Sequence, residues 1–65
     1  MTSLAAQLST ITSSLEELTA RVSALADEQY RVKAEQHAVA LEEAERSLRS
    51  GVRRLDRLLR TLPRQ

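Results

Sequence analysis

Few side chains in this sequence could do chemistry: one histidine, His37; a carboxylate cluster, Glu42, Glu43 and Glu45; two glutamines a heptad apart, Gln29 and Gln36; and an arginine series, Arg46, Arg49, Arg53, Arg57, Arg60 and Arg64. Nucleophilic catalysis needs a base beside a nucleophile and a third group that orients it within a cavity. His37 sits between Gln36 and Ala38 in a chain without cysteine, and no Ser-His-Asp or Cys-His grouping can be assembled around it. No catalytic residue is expected, and the chain does not read as an enzyme. His37 reads as a solvated or interfacial helix histidine, with a pH-sensitive contact as its special use. One imidazole and no thiol cannot make a structural zinc site, and the glutamates lack calcium-ligand spacing. No metal and no cofactor are expected.

The arginines are the strongest chemical feature. At about 100° per residue they form a stripe nearly opposite an apolar seam on the same segment, so one helix could associate on one face and present guanidinium groups on the other. Arginine suits phosphate and carboxylate recognition. The chain lacks side chains that would read or stack bases, so nucleic-acid binding through this stripe would be independent of sequence, along the backbone. An acidic protein partner is the other reading. A membrane surface fits less well, because the only aromatic is Tyr30 and no Trp or Phe anchors the apolar face.

What must position these residues is helical. Leu4, Leu8, Ile11, Leu15, Leu18, Val22 and Leu25 recur at alternating spacings of four and three, the period of a coiled-coil seam. With Leu8, Leu15 and Val22 at heptad position a, Leu4, Ile11, Leu18, Leu25, Val32 and Val39 fall at d. The next two a positions are Gln29 and Gln36, polar residues that can select register and oligomer number unless Tyr30, Ala34 and Leu41 form the local seam instead. Ala5, Thr12, Thr19 and Ala26 fall at e, small enough to admit a third or fourth helix. A second stripe, Leu41, Ala44, Leu48, Val52, Leu55, Leu59 and Leu62, is two residues out of phase with the first. Such a shift unwinds a supercoil locally or separates segments with different neighbours.

The fold class is therefore all-α, a single coiled-coil module over 1–65. A helix over about 3–62 starts at a Ser3 or Thr2 cap and stops before Pro63, with a polar phase-shift region at 27–40 and a basic segment at 46–65. Two Ser-x-x-Glu pairs beginning at Ser13 and Ser14 offer a later start. A chain of 65 residues without disulfide or metal needs oligomerisation to bury one narrow stripe.

Two architectures satisfy the pattern. In one, a continuous helix pairs antiparallel with a copy of itself. In the other, the chain folds back near Ala26-Asp27-Glu28-Gln29, with Asp27 capping a second helix, and two hairpins make a four-helix bundle. The motif Ala26-Asp27-Glu28-Gln29 with Glu45-Arg46-Ser47 resembles the turn and second helix of the plasmid RNA-binding Rop proteins. Residues 28–41 are similar to the mitochondrial ATP synthase inhibitor protein, without that family's glycine-rich segment. Neither resemblance assigns a role to a residue here.

Net charge is +1, but residues 1–45 carry −5 and residues 46–65 carry +6. Any two-chain assembly is therefore expected to be antiparallel. The functional expectation is protein–protein association, as a homo-oligomeric scaffold (dimer to tetramer) or a subunit of a helical complex, with an arginine-stripe nucleic-acid binder as the alternative. Without a continuous apolar run at the N-terminus or a spanning segment, neither a secretory signal nor a membrane span is expected, and the expected location is intracellular, in the cytoplasm.

Overall fold

The computed structural model describes residues 3–63, among which two helices, α1 (Leu4–Arg31) and α2 (Glu35–Thr61), pack against each other as a hairpin with no strand. Ser3 starts α1: its backbone is extended (φ −67°, ψ 159°) and its hydroxyl accepts the Ala6 N–H at 3.1 Å, satisfying one of the orphan donors of the first turn. Ser13 and Ser14 lie inside α1. At the other end Leu62 is extended (φ −80°, ψ 146°), as Pro63 requires of its predecessor.

The continuous helix over 3–62 does not form. The chain reverses through Val32, Lys33 and Ala34, and the termination is a Schellman motif: Lys33 N–H donates to the Tyr30 carbonyl at 3.0 Å and Ala34 N–H to the Gln29 carbonyl at 2.8 Å. The left-handed residue this motif needs is Lys33, at φ 61°. The turn expected near Ala26-Asp27-Glu28-Gln29 is likewise displaced. Asp27 lies within α1, and the cap position of α2 is Ala34, which makes no side-chain cap bond. The later turn gives helices of 28 and 27 residues that pack over their whole length, whereas a turn at 26–29 would leave the last turns of α2 overhanging.

The reversal also explains the phase shift. The two stripes do not continue one another; they face each other. Between the helices lie Leu8, Leu15, Val22 and Gln29 with Ala5, Thr12, Thr19 and Ala26 from α1, against Ala38, Leu41, Glu45, Leu48, Val52, Leu55, Leu59 and Leu62. The residues fully inside are small: Ala26, Ala38, Thr12 and Thr19, and no large described side chain is fully buried. The small e positions thus let α2, not a third helix, come close.

Candidate association interface

Packing through a and e leaves the d row of α1 uncovered. Leu4, Ile11, Leu18 and Leu25 are 48–58% exposed, and Val32 at the cap is 65% exposed. The corresponding row of α2, in step with Leu41, Leu48 and Leu55 and three residues beyond each, is His37, Ala44, Gly51 and Leu58, all exposed. Leu25, Gln29, His37, Ala40 and Leu41 line one shallow depression, so the two rows lie on one face of the hairpin. The opposite face is polar, with Glu16, Arg49, Arg53 and Asp56 around a second depression floored by Thr19, Ala20 and Val52. On the apolar face the flanking positions carry only Arg21, Glu28 and Arg54 as charges.

The interface residues of the sequence reading thus divide. Leu8, Leu15, Val22, Leu41, Leu48, Val52, Leu55, Leu59 and Leu62 are half-buried between the helices, while Leu4, Ile11, Leu18, Leu25, Val32 and Val39 face solvent. Val39 does not continue the row of Leu25, because the turn resets the register. The glutamines also part: Gln29 is half-buried beside the turn and Gln36 is exposed in the first turn of α2, so they are not successive a positions of one seam.

The arginines project from α2 as exposed side chains. Arg49 pairs with Glu45 at 2.5 Å and Arg60 with Asp56 at 3.3 Å, both one turn back on the same helix. Arg46, Arg53, Arg54 and Arg57 make no ion pair among the described residues. Arg64 lies outside the described residues.

No family model, no curated protein and no solved structure matches this chain significantly. Neither resemblance noted in the sequence is extended by them. No described helix is long and apolar enough to cross a membrane, and no group of three His, Cys, Asp or Glu among the described residues could hold a metal ion.

Two features, the Tyr30–Glu42 contact and the unpartnered Thr12 hydroxyl, were not singled out from the sequence. Tyr30 O–H donates to Glu42 Oε1 at 2.5 Å, tying the last turn of α1 to α2. That hydrogen bond, with the nearby negative charges of Glu42 and Glu35 and slight desolvation, holds the phenol above its usual 10, while Arg46 opposes the shift. The residues stand twelve apart, and only the position of the turn brings them together. Among the described residues Thr12 Oγ1 is buried without a partner, whereas Thr19 Oγ1 donates to the Leu15 carbonyl at 2.6 Å. Gly51 sits in the exposed row with nothing within 4 Å of where a Cβ would stand.

Proposed function

We propose that this protein is a helix–helix association module that works through the apolar face bearing Leu4, Ile11, Leu18 and Leu25, as a homo-oligomeric scaffold or a subunit of a helical complex. One observation carries the reading: Leu4, Ile11, Leu18 and Leu25, four of the eight exposed large apolar side chains among the described residues, form a heptad row on one face, and contiguous exposed apolar surface on a small protein marks an interaction site. Leucines of this kind contribute about 1.5 to 3 kcal/mol each only when buried, and the hairpin alone does not bury them.

The test compares the wild-type chain with a variant in which Ile11, Leu18 and Leu25 are all changed to Gln. Light scattering and the fluorescence of an apolar dye are read together. The wild type should either self-associate or, as a monomer, bind the dye, and the triple variant should do neither while Glu17→Gln behaves as wild type. A wild-type chain that is monomeric and takes up no dye would overturn the reading.

The unpaired arginines favour a second use, sequence-independent binding of a polyanion along α2. Changing Arg46, Arg53 and Arg57 together to Gln should remove retention of RNA or DNA at low salt without loss of helicity. No retention by the wild type would dispose of this use.

A further inference from the structure

We infer that the occupant of the apolar face is a second copy of this chain, seated face to face and antiparallel, so that the α1 rows meet each other and the two Gly51 residues meet at the crossing of the α2 helices. The inference rests on the association reading above and specifies its partner.

Area is the first argument. A compact monomer of 7.3 kDa exposes about 4,200 Å², but this hairpin exposes 5273 Å². The surplus is about 1,100 Å² per chain, so covering it in a pair would bury about 2,200 Å² in all, the size of a stable interface. Shape agrees. The Cα envelope measures 49 × 17 × 12 Å with a radius of gyration of 15.0 Å, against about 11 Å for a compact chain of this length and about 14 Å for one twice as long. The hairpin is a single layer, and a domain needs two.

Charge gives a slight preference of orientation. Divided near its middle, between residues 18 and 19 on α1 and 50 and 51 on α2, the hairpin carries six acidic and five basic groups in the turn end and three acidic and four basic groups among the described residues of the open end. The turn end is therefore net −1 and the open end net +1. Antiparallel stacking sets opposite ends side by side; parallel stacking sets like against like.

Side-chain size fits the same arrangement. Thr19 and Ala20 share a depression with Arg49 and Val52, so Leu18 and Gly51 lie within about one helical turn of the same level, near the middle of the hairpin. A two-fold axis there puts Leu18 on Leu18, Ile11 near Leu25 and Leu58 over Ala44 of the second copy. Glycine is poorly suited to a helix interior, Gly51 has no positive φ, and nothing within its own chain occupies the space beside it. A second helix crossing close at this point gives the residue a purpose.

The experiment uses the full chain, which has no natural cysteine. Sedimentation equilibrium should give a dimer, and Leu18→Cys should cross-link efficiently to itself on oxidation. Gly51→Leu fits the open hairpin and should retain helicity, yet weaken the dimer about tenfold or more by overpacking the crossing. A monomeric wild type that binds the apolar dye would overturn this inference and leave the association reading standing; a monomer that binds none would overturn both. A trimer or tetramer, a dimer unaffected by Gly51→Leu, or a dimer in which Leu18→Cys cross-links only to Gly51→Cys would each overturn the proposed arrangement.

Discussion

Thr12 and Thr19 stand one heptad apart on the buried edge of α1, 4% and 5% exposed, and differ in their hydroxyls: among the described residues Thr19 has a partner and Thr12 has none. A buried hydroxyl without a partner keeps its desolvation penalty. Thr12→Val should therefore raise stability by about 1 kcal/mol, and Thr19→Val should gain less or lose, because it surrenders a hydrogen bond. Urea denaturation of the two variants checks the difference. The tyrosine makes a second test at this scale. Its folded pKa lies above the unfolded value of about 10, so the contribution of the Tyr30–Glu42 contact is complete below pH about 10 and is lost as pH rises through the folded value. Ultraviolet titration should place the tyrosinate midpoint above 10, and Glu42→Gln should bring it closer to 10. A wild-type midpoint at or below 10 would contradict the contact.

At the scale of the element, the turn is built from a residue that does not advertise it. A left-handed position after a helix is usually glycine or asparagine, and here it is Lys33. In the hairpin Lys33→Gly should relieve the strained backbone and raise stability by about 0.5 to 1 kcal/mol. In a continuous helix the same change would cost about 1 kcal/mol. The sign of the change in melting temperature thus reads the presence of the turn. The two surface ion pairs, Glu45–Arg49 and Asp56–Arg60, have the i, i+4 spacing that supports a helix by a few tenths of a kcal/mol each, far too little to hold α2 without its apolar contacts.

For the whole molecule, the apolar face and the arginine face respond differently to solvent. Association through leucines with only Arg21, Glu28 and Arg54 beside them should weaken by less than about tenfold on raising the salt from low to high concentration, while polyanion binding should fall by orders of magnitude through counterion release. Melting temperature should also rise with protein concentration if a second copy stabilises the fold. Sedimentation and melting at two salt and two protein concentrations measure both. A concentration-independent melt at dimer mass would point to a dimer too tight to dissociate in that range, and dilution to lower concentration should then restore the dependence.

The all-α class, the Ser3 start, the stop before Pro63 and the two stripes were legible from the sequence, because apolar period, capping hydroxyls and proline act within a few residues of where they stand. The reversal at Val32–Ala34 was not. Its signal is a backbone conformation adopted by a lysine, and the two-residue phase shift was compatible with an unwound rod as well as a turn. Nor could one chain's pattern say which apolar row is used first. The positions a and e close the hairpin because Ala26, Ala38, Thr12 and Thr19 are small enough to let α1 and α2 approach, and that choice leaves the larger side chains of the d row uncovered. Local periodicity determined that there would be a face to cover; only the packing of α1 on α2 decided which face remained.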